Sequence, residues 1–189
     1  MKKIVTIFTF LTLMFVGAGS SFAATHTVAK GDTYWKISVK YGVPVNTVMA
    51  ANNAKSSNLL IGQRLYIPTT SLTNSEKDLL ARLVQAEAEA EPYAGKVAVA
   101  TVVLNRVDSS LFPNSVSAVI NQTGQFTPVS NGQIKNTAST SAKKAVEEAV
   151  AFRGQGNGSL YFYNPSKTSN TWLRSKKTTI KIGNHVFAK

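Results

Sequence analysis

The sequence predicts an α+β fold in two parts. A small strand–helix–helix–strand module comes first, and a mostly helical module with a small antiparallel sheet follows. Three observations predict it. Residues 26–68 begin and end on short β-type segments around two apolar stripes of helical spacing. Over 79–84, 97–104 and 142–150, apolar residues recur at helical spacing. Beyond 159, β-branched and aromatic residues gather into three short runs, 160–163, 179–182 and 185–187.

A targeting signal precedes both modules. Lys2 and Lys3 lead into an apolar run, Ile4 to Val16, broken only by Thr6, Thr9 and Thr12. Ser21-Phe22-Ala23 then sets small side chains at the −3 and −1 positions of a cut after Ala23. Residues 1–23 read as a secretory signal peptide, since the run falls short of the roughly 20 residues of a bilayer span. The expected location is outside the cell, associated with the wall, with no stable membrane insertion after cleavage.

Composition narrows the chemistry. The 189 residues contain no cysteine, which excludes disulfides, iron–sulfur clusters and cysteine nucleophiles. His26 and His185 lie far apart, no HExxH is present and no glycine-rich phosphate loop occurs, so no metal or other cofactor is expected. Lys and Arg number 21 against 9 acids, a formal charge of +12. With no aromatic-basic reader motif and an exported chain, that charge points to anionic wall polymer rather than nucleic acid.

The first module resolves into four elements. Thr27-Val28 reads as a strand and residues 30–33 as a turn, with Asp32 or Thr33 able to cap a helix. Trp35, Ile37, Ser38 and Tyr41 make a helical stripe that Gly42 ends, and Trp35 is expected in the core. Tyr34 is read as a surface position. Val45, Val48 and Met49 form a second helix up to Asn52-Asn53, and Leu65-Tyr66-Ile67 a closing strand stopped by Pro68. So few residues suit a binding module better than a catalytic one.

The segments GDTYWKIS (31–38), YGVPVNTVMAANN (41–53) and LLIGQRLYIP (59–68) resemble a LysM domain, across 26–68, with Tyr34 where Leu is usual. The resemblance implies binding of N-acetylglucosamine-containing glycan in a shallow groove. Gly31, Asp32, Thr33 and Tyr34 would line one side. Leu60, Ile61 and Gly62 would line the other. The LysM-like module is assigned to 24–68, and an uncharged Ser/Thr-rich linker to 69–75.

The second module, 76–189, begins with a helix whose capping box is read as Ser75 with Asp78 and which must stop near Pro92. A nearly all-apolar helix, 95–107, is expected at its centre, with Val97, Ala98, Thr101, Val102 and Leu104 buried. A short helix over 112–120, an irregular stretch over 121–136 and a helix over 141–152 follow.

Its acids carry the candidate chemistry. Glu76 and Asp78 sit in a first helical turn, Asp108 in a turn, and Glu147 and Glu148 among lysines, all ordinary settings. At 3.6 residues per turn, Glu87 and Glu91 fall within about 20° of Leu80 and share the stripe of Leu83 and Val84, whereas Glu89 points the other way. An acid on a stripe meant for burial is costly when ionised, and burial raises its pKa toward what a general acid needs. The ordinary alternative is that the helix leaves the core there. Two acids projecting the same way do not flank a glycosidic bond, so a one-acid mechanism is expected.

The stretch EAEAEPYAGKVAVATVVLNRV (87–107), with FPNSVSAVI, GQFTPV, LYFYNP and IGNHVFA further on, resembles the SleB-like cell wall hydrolases across about 76–188. The family's catalytic acid matches Glu87 and its second acid Glu91, while Glu89 and Ala90 stand where Arg and Gly are usual. The resemblance implies cleavage of muramic-containing peptidoglycan, in wall or spore cortex, by a lytic transglycosylase. It also adds Gln125 and Phe126 (the GxF element) as candidates to hold an acetamide, with Phe126 alternatively a core anchor, and Tyr163 and Asn164 (YNP) as further substrate-binding candidates. A hydrolytic muramidase and a non-catalytic wall-binding scaffold are the alternatives, and a regulatory wall or spore protein is an envisaged partner. Asn105 and Arg106 are weaker candidates for the groove, with a cap or surface pair as the ordinary alternative; Trp172 reads as glycan-stacking or packed inward, and His185 as a satisfied structural histidine.

Overall fold

The computed structural model describes residues 22–69 and 72–189. The expected signal peptide lies outside the described residues, except for Phe22 and Ala23.

The first module is β1 (Phe22–Thr27), α1 (Tyr34–Tyr41), α2 (Val45–Ala51) and β2 (Arg64–Pro68), with β1 and β2 antiparallel. β1 starts earlier than expected because its extent is set by pairing with β2, from Ala24 opposite Ile67 to Thr27 opposite Arg64. Thr33 caps α1 by accepting the Lys36 N–H at 3.1 Å, and Gly42 ends it in the left-handed region at φ 62°. Val28, Tyr34, Ile37, Val43, Val48, Leu65 and Ile67 form a core of their own. The aromatic neighbours exchange the roles expected of them. Tyr34 is 4% exposed within that core, whereas Trp35 is 37% exposed and meets Phe152 of the second module edge-on, ring centroids 6.4 Å apart. The buried face of so short a helix is decided by its partners, not by ring size.

The second module runs α3 (Asn74–Ala88), α4 (Tyr93–Val107), α5 (Val116–Ile120), α6 (Thr127–Ser130), a 3₁₀ turn (Gln133–Lys135), α7 (Thr140–Phe152), β3 (Tyr161–Tyr163), α8 (Thr171–Ser175), β4 (Thr178–Ile182) and β5 (His185–Ala188). β5 lies between β3 and β4, antiparallel to both. α4 is the central helix, in contact with α3, α5, α7 and β3. Its fully buried face is Val99, Ala100, Val102, Val103 and Leu104; Val97, Ala98 and Thr101 are only partly covered, because the small sheet spans that side incompletely. The irregular stretch contains α6 and the 3₁₀ turn, both too short to show a period in sequence.

The capping box of α3 is Thr73 with Glu76, not Ser75 with Asp78. Thr73 Oγ accepts the Glu76 N–H at 3.2 Å, and Glu76 accepts the Thr73 N–H at 3.1 Å. The longer Glu side chain completes the reciprocal bond. At its other end α3 stops at Ala88, so Glu91 lies beyond the helix and the stripe does not extend to it. Pro92 disfavours helical backbone at residue 91, and the chain turns there.

Because the two modules have separate cores, residues 24–70 are expected to fold alone and to sediment with insoluble peptidoglycan. A folded fragment that stays in the supernatant would count against a glycan-binding role.

Candidate active site

Glu87 sits in the last turn of α3, on the side of Leu80, Leu83 and Val84, all fully buried. It lines two neighbouring cavities of about 580 and 820 Å³ that also share Thr127, Phe162 and Leu173. Together they make a groove with Glu87 at its waist. Burial pushes the Glu87 carboxyl above the usual carboxylate range. No hydrogen bond or ion pair from a described residue opposes this. The site therefore holds an acid whose burial favours its protonated form, open to solvent on two sides.

The two arms differ in chemistry. The smaller is walled by Phe112, Phe126, Tyr161 and Trp172, with Gln125 at its edge. Trp172 is 53% exposed and meets Tyr161 edge-on at 5.1 Å, so it is presented to solvent rather than packed inward. Phe126 is 5% exposed and stacked on Phe162 at 6.5 Å, a core anchor that also lines the cavity. The larger arm is polar, with Tyr163, Asn164, Lys167 and Asn184. Aromatic walls suit sugar faces, and amides and hydroxyls suit their substituents.

Glu91 also lines the larger arm, yet its setting is opposite to that of Glu87. Oε2 accepts the Asn184 backbone N–H at 2.9 Å, and Oε1 accepts the Asn184 side-chain amide at 3.1 Å. Burial works against ionisation, but these bonds, with His185 and Lys96 nearby, hold the carboxyl below its ordinary range. Glu91 is thus an ionised anchor for the turn between β4 and β5. Gly183 makes that anchor possible: at φ 55°, a Cβ there would collide with Glu91 Oε2 and Pro92. Glu89 is exposed, as its opposite heading implied. Asp108 is held by Arg153, with Oδ1 at 2.6 Å from Nη2.

Two buried cations shape the site region; Lys96 escaped the sequence reading, and Arg106 was only a weaker candidate in it. Lys96, 8% exposed, donates to the backbone oxygens of Glu89 and Glu91, both at 2.8 Å, and so fastens the end of α3 to the start of α4. Arg106 is not a surface residue: it is 6% exposed and lines the smaller arm. A signal was available for both. Lys96 stands three and four residues before Val99 and Ala100, and Arg106 three and four after Val103 and Val102, so each falls on the buried stripe. His185 is buried but not satisfied: its Nδ1 has no hydrogen-bond partner among the described residues. Burial, partly offset by Glu91, lowers its pKa and favours the neutral ring.

The LysM candidates lie in the first module, away from Glu87. The two turns adjoin: Gly62 N–H donates to Val28 O at 2.8 Å, and Val28 N–H to Gln63 O at 2.9 Å. Gly31 and Gly62 both adopt positive φ, 87° and 83°. Leu60 and Ile61 project into solvent, 75% and 74% exposed. On the facing turn the Tyr34 ring is buried, Thr33 caps α1, and Asp32 accepts from Ala29 N–H and bonds His26 Nε2, both at 2.8 Å. The Ala29 amide and then His26 hold the Asp32 carboxyl below its usual value. That turn presents mainly backbone.

Comparison with known proteins agrees with this architecture. The Cell Wall Hydrolase family model matches residues 90–188, and the LysM domain model matches 26–68. A spore cortex-lytic enzyme of Bacillus cereus is 35% identical over 162 residues, 86% of this chain. The chain spans 62% of that relative's length. The spore cortex-lytic enzyme of Bacillus subtilis strain 168 is 40% identical over 115 residues, 61% of this chain and 38% of that one. Among solved structures, the catalytic domain of the germination-specific lytic transglycosylase SleB from Bacillus anthracis superposes with a TM-score of 0.60 at 40% identity. That match covers 64% of this chain and 98% of that one. The chain belongs to the cell wall hydrolase family, with a LysM domain ahead of its SleB-like domain.

Proposed function

We propose that this protein is an exported enzyme that cleaves peptidoglycan strands at muramic acid as a lytic transglycosylase, with Glu87 as the single general acid and base. One observation carries the reading: Glu87, half-buried and without a hydrogen-bond or ion-pair partner among the described residues, stands at the waist of a groove in which the Glu91 carboxylate is tied to Asn184. Inverting and retaining hydrolases need a second carboxylate free to activate water or attack carbon. Here the protonated Glu87 donates to the glycosidic oxygen, and the C1–O bond breaks with its electron pair leaving on that oxygen. The Glu87 carboxylate then takes the proton of the muramic 6-hydroxyl as O6 bonds to C1. The proton returns to Glu87, no water is consumed, and the product ends in an anhydro ring.

Gln125, Phe126, Tyr163 and Asn164 are proposed to seat the sugars on either side of Glu87. The LysM module, through exposed Leu60 and Ile61 beside the Gly31 and Gly62 turns, is proposed to hold the enzyme on glycan and raise its local concentration. Similarity to the spore cortex-lytic enzymes makes spore cortex the first substrate to try.

Mass spectrometry of digested peptidoglycan tests the mechanism. The expected end group is an anhydro-muramic residue, lighter than a reducing end by one water. Reducing muramic ends throughout would make the protein a hydrolytic muramidase, and binding with no cleavage a scaffold.

A further inference from the structure

Arg106 ends α4 as a buried guanidinium with no carboxylate partner among the described residues. Its carbon lies 4.9 Å from the Phe112 ring centre, 5.3 Å from Phe126 and 5.8 Å from Tyr161. Nε donates to the backbone oxygen of Leu160 at 2.7 Å, at the head of β3, and Nη1 donates to Gln125 Oε1 at 3.2 Å. A charge this secluded is expensive, and aromatic faces with two acceptors compensate it only in this one orientation.

The bond to Gln125 has a chemical consequence. Arginine has donors and no acceptor, so only the oxygen of the Gln125 amide can face it. The amide is locked against rotation, and its NH₂ is the end left free. Gln125 is exposed and lines the smaller arm of the groove, so what it offers there is a donor. A fixed donor beside aromatic walls matches a carbonyl acceptor carrying a methyl group, which on an amino-sugar strand is the N-acetyl substituent.

We propose that Arg106 is a positioning residue that locks the Gln125 amide with its NH₂ toward the groove, and that this lock makes the enzyme select N-acetylated over de-N-acetylated sugars. The proposal rests on the glycan-cleaving reading above. Its ligand is the acetamide of an amino sugar bound in the smaller arm. Phe112, Phe126 and Tyr161 hold the guanidinium in place, and Gln125 alone of this set reads the acetamide oxygen.

The test uses the full chain on glycan strands prepared in two forms, native and de-N-acetylated, with a re-acetylated sample as control. Gln125→Glu keeps a partner for Arg106 and is expected to melt at or above the wild-type temperature. It removes the donor, so KM on native strands should rise about 10-fold, the worth of one neutral hydrogen bond, with kcat changed little. On de-N-acetylated strands, whose free amine is a cation, the variant's carboxylate has a partner to meet, so its KM should be no higher than that of wild type. Arg106→Lys keeps the charge but loses the fork; it should raise KM by a similar factor, and adding Gln125→Met should raise it no further. A folded Gln125→Glu with wild-type KM on native strands overturns the proposal, as do Arg106→Lys and Gln125→Met effects that multiply in the double variant. Cleavage of both strand forms by wild type with equal KM overturns the selectivity and leaves the parent reading intact. A wild-type protein that cuts neither form defeats the parent reading and this proposal together.

Discussion

Glu87→Gln is expected to lower peptidoglycan turnover by roughly 10²–10⁴-fold, the usual worth of a positioned general acid and base. The amide keeps the shape of the side chain and loses the proton that must reach the glycosidic oxygen. The fold should be unharmed or firmer, because Glu87 is ionised at some cost where burial raises its pKa. The sign with pH follows. A carboxyl whose folded pKa is raised contributes stability that is full below the ordinary carboxylate range and lost as pH rises through the folded value. Wild-type stability should therefore decline across that window relative to the Gln variant. The kcat/KM of the wild type should fall along the same alkaline limb, where the free enzyme loses its acid. Melting curves and end-group release from sacculi, each taken across pH, measure both effects. A folded Glu87→Gln with full turnover would remove the residue from the mechanism.

Gly183→Ala is expected to be the most damaging small substitution in the second module, at about 2–4 kcal/mol. About 1–2 kcal/mol comes from placing a side chain at positive φ, and the remainder from collision with Glu91 Oε2 and Pro92. The turn joins β4 to β5, and Asn184 within it holds Glu91 by two hydrogen bonds. Displacing that turn also disturbs the polar arm of the groove, which Asn184 and His185 line. Denaturant unfolding should show a lower midpoint with unchanged slope, and activity should fall even where the variant remains folded. The pH signature differs from that of Glu87. Glu91 is held below its ordinary pKa, so its contribution is present above the ordinary carboxylate range and lost as pH falls through the folded value. A Gly183→Ala protein as stable as wild type would mean that the turn accommodates the methyl group freely and that the Glu91 anchor carries little.

Local patterns in this chain are strong enough to read without a structure. The helical stripes of α3, α4 and α7, the Gly42 stop, the Pro68 stop and the three late β-type runs each specify an element through neighbours within a few residues. Glu87 was legible in the same way: an acid seven residues from Leu80 and four from Leu83 has no inexpensive explanation on a buried face. The resemblance to the LysM and cell wall hydrolase families was carried by strings of the same local kind.

What the tertiary structure decided were the outcomes that depend on residues far apart in sequence. Glu91 resembles Glu87 on a helical wheel, yet helix α3 ends before it and Asn184, 93 positions away, claims both its oxygens. Trp35 was expected to be core as the larger aromatic, but Tyr34 fills the first module's core, and Trp35 meets Phe152 instead. Arg106 reads as a polar end to a helix until Leu160, Gln125 and three aromatic rings close around it. Periodicity states which side of an element is buried; it does not state against what. An acid against apolar side chains gains a proton, an acid against amide donors loses one, and a cation among aromatic faces becomes a fixed strut, so the partner decides the chemistry.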